Sequence, residues 1–401
     1  LTFPLLLFAY LFSQFFRSFL TIVAADLSRD LGFGPAELGW LGSAWFLAFA
    51  IAQFPVGYLL DTIGPRRTMG WLMLVGVVGA MLFALSPGFP VSAAGMALVG
   101  VGCSPMLMAS LYIFGRTARP ERFAALSSAL VGLGNLGNIA AATPLTLAAQ
   151  TLGWRWSMAG VGLAMGLAAA LVLLLLRDPP RAERAGGGRA TVFGDILAVM
   201  RIPALRLTLP LHLVSYGMIA TERGLWLGPY LDMTYGLDAL QRGNAAFAMS
   251  IGMTLGALAC APASRWLGGV KRPAAIGNAV TAGLFAALGL WPALGPDGAT
   301  ALLALIGFFG LTYSLMLSHG RQFIPDHLLG RGVTSLNFLA IGGAGLMQAV
   351  TGRWIDAALA AGASPAAAFG SMHLAMGLAL AAMLLLFLFA PAKPPAREPP
   401  A

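Results

Sequence analysis

Four polar side chains, Tyr10, Gln14, Arg17 and Thr21, are spaced 4, 3 and 4 residues apart inside an otherwise apolar run. On a helix that spacing makes one polar stripe. A second polar site lies at Glu222 and Arg223, where His212, Tyr216 and Arg223 share one helical face and Ser215, Glu222 and Trp226 share the next. Arginine stays charged when buried and presents a planar fork of donors that fits a carboxylate or a phosphate. A glutamate in a dry site is a reversible carrier of one proton. Arg17 is therefore the candidate partner of an anion, and Glu222 the candidate group for proton exchange. A purely structural salt bridge of Glu222 with Arg17 or Arg223 accounts for the same residues.

The surroundings of these charges decide what solvent they face. Of 401 residues, 58% are hydrophobic and 10% are charged, against about 25% charged in an ordinary soluble domain. Such a chain cannot build a water-facing surface, so its solvent is lipid. Runs such as 156–176 and 366–390 have the roughly 20 apolar residues that a spanning helix needs. They are too long for membrane strands and do not alternate. Loop punctuation by Gly, Pro and charge predicts twelve spans, near 3–27, 37–60, 68–86, 91–115, 123–149, 156–176, 205–231, 242–264, 274–292, 299–320, 333–358 and 366–390. The first run is too long for the core of a signal peptide and is read as a retained helix. Six spans fall on each side of a polar, basic break, "RDPPRAERAGGGRA".

The expected organisation is a six-helix bundle over 1–176, a central loop over 177–204, a second bundle over 205–390 and a disordered proline-rich tail over 391–401. Phe193, Ile196, Leu197 and Met200 are helically spaced in the central loop and predict a segment lying along the membrane surface. With the first helix starting on the cytoplasmic side, 18 of the 24 Lys and Arg residues fall inside and 4 outside. That bias places both chain ends in the cytoplasm of a plasma (inner) membrane protein. It also accounts for the net charge of +9 without nucleic acid as a partner.

Sliding the second half over the first by 204 positions matches Gly32 with Gly236, Gly39 with Gly243, Gly64 with Gly268 and Arg67 with Lys271. Two six-helix halves in the same order are parallel repeats about an axis along the membrane normal. The offset aligns Arg17 with Thr221, so the two polar sites fall at similar depth on equivalent helices.

Between the second and third spans stands "GYLLDTIGPRR". Gly57 would let the second helix approach a neighbour closely. Gly64 and Pro65 make a tight turn, and Arg66 and Arg67 anchor that face. Asp61 ends a helix where a carboxylate opposes the dipole and so calls for a partner. Twelve helices in two sixes, a basic central loop and Gly57, Asp61, Gly64, Arg66 and Arg67 in this register resemble the major facilitator superfamily. Thr62 and Pro65 stand where that family often carries basic residues. The resemblance implies an all-α integral membrane protein of twelve helices, with a substrate site between the halves and the Asp61 loop as a gating latch. Arg17 in the first helix is similar to the organophosphate and anion:cation symporter branches. The fourth span lacks the arginine, and the fifth the Gly-Pro pair, of proton-coupled drug exporters.

Asn135 and Asn138, with Ser128, form a polar face of the fifth span, and Asn337 and Gln348 lie three turns apart in the eleventh. They are either substrate-lining or hydrogen-bonding glue between helices. His319 and Arg321 end the tenth span. Met249, Met253, Cys103, Met106 and Met108 offer soft-metal ligands but equally serve as packing. No metal site, cofactor or catalytic constellation is expected, and the chain is not read as an enzyme. The reading that follows is a monomeric secondary transporter of a small organic anion. Its substrate set is Tyr10, Gln14, Arg17, Asn135, Asn138, Tyr216, Glu222, Arg223 and Asn337, with protons as the candidate coupling ion. A copper, siderophore or drug transporter of the same fold, and a transporter-like sensor, remain as alternatives.

Overall fold

The computed structural model describes residues 2–179, 200–291, 294–325 and 329–392. Among these the regular structure is helical. In chain order the spans are α1 (Thr2–Phe15 and Leu20–Leu31), α2 (Pro35–Thr62), α3 (Pro65–Ala84), α4 (Phe89–Cys103 and Pro105–Thr117), α5 (Pro120–Gly134, Leu136–Ala140 and Thr143–Leu152) and α6 (Trp154–Leu175). They continue as α7 (Leu209–Thr221, Glu222–Trp226 and Leu227–Tyr235), α8 (Ala239–Trp266), α9 (Lys271–Leu290), α10 (Gly295–Gly310 and Tyr313–Arg321), α11 (Leu329–Ala360) and α12 (Pro365–Leu388). Ten of these are long and apolar enough to cross a membrane, and α1 is an eleventh once its two pieces, bent by 47°, are joined. The twelfth, α7, is interrupted by a π-helical turn over Glu222–Trp226.

The outer ends of the first and seventh spans run past the predicted 27 and 231, to Leu31 and Tyr235. Each stops at a glycine in the left-handed region, Gly32 at φ 69° and Gly236 at φ 66°, which costs a residue without Cβ little. The next helices also begin alike. Glu37 accepts from the Gly34 N–H at 3.0 Å, and Gln241 accepts from the Asp238 N–H at 3.0 Å. Both pairs are related by the 204-residue offset, so the repeat extends from sequence to capping chemistry. The surface segment expected over 193–200 and the tail over 391–401 lie almost wholly outside the described residues. Pro203–Arg206 forms a short helix before α7.

The halves meet along two equivalent seams, α2 with α11 and α8 with α5. The matched glycines are points of close approach. A Cβ on Gly39 would stand 2.5 Å from the Gln348 carbonyl oxygen, and one on Gly243 would stand 2.5 Å from Thr146 Oγ1. Both lie near the face carrying residues 32–34 and 236–238, here called the outer face. Toward the other, basic face, Phe54 meets Phe338 with ring centres 5.2 Å apart. Beyond that contact Tyr58 is largely exposed, and a Cβ on Gly57 would meet nothing. The molecule is closed on the outer face and opens toward the basic one.

Gly39→Val and Gly243→Val are expected to hold the outer face apart. Each added side chain needs the seam to widen by roughly 1 Å or more to reach ordinary contact distance. Spin-label distances between residues 32–34 and 236–238 should lengthen in both variants. Unchanged distances would show that the glycines do not control closure.

Candidate functional site

The polar residues of α1 and α7 are positioned by two interruptions at equivalent depth. In α1 the chain turns over Phe16–Phe19 between its two pieces. In α7 the Leu227 N–H reaches back to the Glu222 carbonyl, a five-residue turn that shifts the angular placement of the side chains beyond it. A transmembrane backbone must satisfy its polar groups within the protein, and here the two interruptions do so mutually. Thr21 Oγ1 accepts from the Gly228 N–H at 2.8 Å. Arg223 Nη1 donates to the Ser18 carbonyl at 3.4 Å, and its Nη2 donates to the Asn138 carbonyl at 2.9 Å. Its Nε donates to Ser250 Oγ at 2.9 Å. Arg223 is thus a fully buried cation held by neutral acceptors from both halves, and its charge meets no carboxylate among the described residues.

Arg17 has a different setting. Its Nη1 donates to Tyr216 Oη at 2.8 Å. The guanidinium lies 5.6 Å from the centre of the Trp45 ring and 4.9 Å from that of Phe49. Such cation–π contacts contribute about 0.5–2 kcal/mol each, according to how dry the site is. Its Nε has no partner. No carboxylate pairs with it among the described residues, so the alternative of a structural bridge from Arg17 to Glu222 is not the arrangement found. The phenols of Tyr216, Tyr10 and Tyr313 lie close enough to feel its charge.

Around it the residues converge. Tyr10 Oη accepts from Gln14 Nε2 at 2.6 Å. Tyr216 and Tyr313 have ring centres 5.2 Å apart, and His212 stacks on Tyr313 at 5.9 Å. Tyr313 Oη donates to Asn337 Oδ1. Arg17, Tyr216, Tyr313 and Asn337 all keep partial exposure, on the side that the seams leave open. Of the sequence-derived set, Tyr10, Gln14, Arg17, Tyr216 and Asn337 come together here. Tyr313, Trp45 and Phe49 join them and were not singled out. Their aromatic character is too common in membrane spans to have marked them.

Glu222, Arg223, Asn135 and Asn138 are placed elsewhere. Ser18 Oγ donates to Asn138 Oδ1 at 2.6 Å, and Asn138 Nδ2 to Asn135 Oδ1 at 3.1 Å, so both asparagines serve the α1–α5 contact. Glu222 Oε2 lies 3.1 Å from His373 Nε2 on α12. Both side chains have no exposure. The partner of Glu222 is therefore neither Arg17 nor Arg223. His373 was legible in principle, because an ionisable residue inside a span marks a functional position by default.

The loop after α2 also departs from expectation. Gly64 adopts φ 89°, and a Cβ there would stand 2.8 Å from Asp178. The Arg66 N–H donates to Asp178 Oδ1 at 2.7 Å, and its Nε to the Leu173 carbonyl at 2.6 Å. The turn is thus tied to the end of α6 within its own half. Asp61 and Arg67 are exposed, and Asp61 forms no hydrogen bond or ion pair with the described residues. Gly57 approaches no neighbouring helix. Both expected contacts would reach toward the other half, which stands apart on this face.

The comparisons with known proteins agree with this geometry. The family description "Major Facilitator Superfamily" matches residues 6–348. The chain is 28% identical to a probable L-galactonate transporter of Escherichia coli, over 60% of this chain and 56% of that protein. It is 25% identical to a probable hexose phosphate transport protein of Chlamydia muridarum, over 43% of this chain and 38% of that protein. The matched segment thus spans little more than half of these relatives' own length at most. Among solved structures, the nucleoside transporter NupG superposes with a TM-score of 0.79 at 13% identity, covering 96% of this chain and 98% of that one. With twelve helices in two repeated halves and a polar site between them, the chain belongs to the major facilitator superfamily.

Proposed function

We propose that this transporter carries a small organic anion by alternating access, with Arg17 as the charge partner of the substrate. The observation that supports this most is the unpaired state of Arg17. A guanidinium near the middle of a span costs about 2.5–3.5 kcal/mol on insertion scales. Here it has one phenol and two ring faces but, among the described residues, no carboxylate. It keeps a free donor beside a cluster of hydroxyl and amide groups open toward one face. An anion arriving from that face would complete its coordination, and Tyr10, Gln14, Tyr216, Tyr313 and Asn337 would meet polar groups on the same molecule. The named substrates of the two relatives, a hexose phosphate and a sugar acid, are both anions.

Rocking of one half against the other would open the outer seam and close the basic one. In that second state Asp61, Arg67 and Gly57 would gain the partners they lack here, which suits a latch that acts only when the basic face is shut. We place the basic face in the cytoplasm, on the distribution of Lys and Arg, and read the protein as a monomer of the plasma (inner) membrane.

Arg17→Ala is expected to abolish binding of the anion. Arg17→Lys keeps the charge but loses the fork, and should weaken binding roughly tenfold to a hundredfold, the worth of a charged hydrogen bond. Calorimetric titration of the purified protein with L-galactonate and with glucose 6-phosphate measures both. If Arg17→Ala binds whichever of these the wild type binds with unchanged affinity, the anion reading is wrong. Asp61→Asn should shift spin-label distances across the basic face toward the open arrangement. If the distribution matches wild type, the loop acts only as an anchor.

A further inference from the structure

We infer that Glu222 and His373 form a proton-binding site, separate from the Arg17 site and linked to it through the contact of α1 with α7. The inference rests on the transport reading and adds to it where the proton sits and how it is coupled.

The geometry is that of a sealed pair. Glu222 Oε2 and His373 Nε2 are 3.1 Å apart with neither side chain exposed. Glu222 Oε1 and His373 Nδ1 are buried and have no partner. With Nε2–H donating to the carboxylate, the pair carries one negative charge and keeps two vacant seats for a proton, Nδ1 and Oε1. A proton taken from water at Oε1 forms one O–H bond; one taken at Nδ1 forms an N–H bond while the Nε2 proton passes to Glu222 Oε2. Either way the pair becomes a neutral carboxylic acid beside a neutral imidazole, and returning the proton to water reverses the step.

The groups facing the pair leave few other candidates for that proton. α7 contributes Arg223, next in the chain, and Tyr230, whose ring stands edge-on to His373 at 4.8 Å. α9 presents Phe285 and α12 presents Phe369, at 6.1 and 6.4 Å from the His373 ring. α8 presents Ser250 through Arg223. α11 presents Gln348 beside Gly224, and the carbonyl of Arg17 on α1 lies against the same glycine. Tyr230 Oη lies 3.2 Å from Tyr235 Oη, and Tyr235 is half-buried at the outer end of α7. These two hydroxyls bond to each other between the outer end of α7 and the ring that stands against His373.

Charge supplies the coupling. Arg17 and Arg223 are permanent cations. With the pair deprotonated and no anion bound, the buried charge is one positive unit. A proton alone raises it to two, which a membrane interior opposes. A proton together with a monoanion on Arg17 restores it to one. Proton and anion therefore favour each other's binding, and by linkage each raises the other's affinity by the same factor. One proton would accompany one monoanion.

Infrared pH-difference spectroscopy on the full-length protein in nanodiscs reads the pair without any substrate. Wild type should show the carbonyl band of a protonated buried carboxylic acid. The band should vanish in Glu222→Gln and shift or vanish in His373→Asn and His373→Gln. The affinity for L-galactonate should rise as pH falls, by up to about tenfold per unit for one linked proton, and this dependence should flatten in the same variants. If the variants keep the wild-type titration, the proton site is not this pair. If L-galactonate does not bind wild type while the band behaves as described, the anion reading fails and the proton site stands.

Discussion

The structure depends on one constraint, that the backbone of a helix interrupted inside a membrane must be satisfied without water. α1 and α7 are interrupted at equivalent depth, one by the turn over Phe16–Phe19 and the other by the π-helical turn over Glu222–Trp226. Neither half meets the demand alone. The freed groups of one helix are met by side chains of the other, Thr21 for the Gly228 N–H and Arg223 for the Ser18 carbonyl. The interruption in α5 joins the same arrangement, because the Asn138 carbonyl is also taken by Arg223. The centre of the molecule is therefore where the two halves are chemically incomplete without each other.

The two arginines at this depth solve different problems. Arg223 has every donor group directed to a neutral acceptor and is sealed from solvent. Arg17 is half-buried and held by one phenol and two rings. Had Glu222 bridged to Arg17, the exposed cation would be neutralised internally and an incoming anion would compete with a covalently tethered carboxylate. The π-helical turn instead directs Glu222 toward α12 and His373. Keeping the acid in its own pocket leaves Arg17 free for a soluble partner.

Much of this arrangement was legible from residue types. Composition and run length yielded the spans, and the 204-residue offset paired the glycines that the structure uses as caps, Gly32 with Gly236, and in the seams, Gly39 with Gly243. Polar spacing picked out Tyr10, Gln14, Arg17 and Thr21; the structure gathers the first three with Tyr216 and Asn337 and gives Thr21 to the Gly228 N–H. Pairing was not legible. Helical spacing on α7 assumes a regular helix, and a π-helical turn changes which neighbour each side chain meets, so spacing could not show that Glu222 meets His373 rather than either arginine. His373 lies about 150 residues away in an apolar run, and no local pattern connects it to Glu222. The contacts of the Asp61 loop were not legible for a different reason. A motif does not say in which conformation its contacts form, and the structure has that face open.

Neutral acceptors are what a reversible seam requires. A carboxylate buried against Arg223 would hold the outer face shut by a dry ion pair, and separating it would leave two uncompensated charges at a cost of about 3–5 kcal/mol. Backbone carbonyls and a serine hydroxyl bind the guanidinium through hydrogen bonds each worth a net of about 1.5–3 kcal/mol, and water entering an opening seam can replace them one at a time. The glycines at positions 39 and 243 complete this logic from the packing side. They let the helices approach closely, backbone to backbone at Gly39 and backbone to the Thr146 side chain at Gly243, where attraction is dispersion spread over many weak contacts rather than one strong bond. A seam built from many replaceable interactions can close tightly and still part, whereas one built on a buried ion pair would favour a single state.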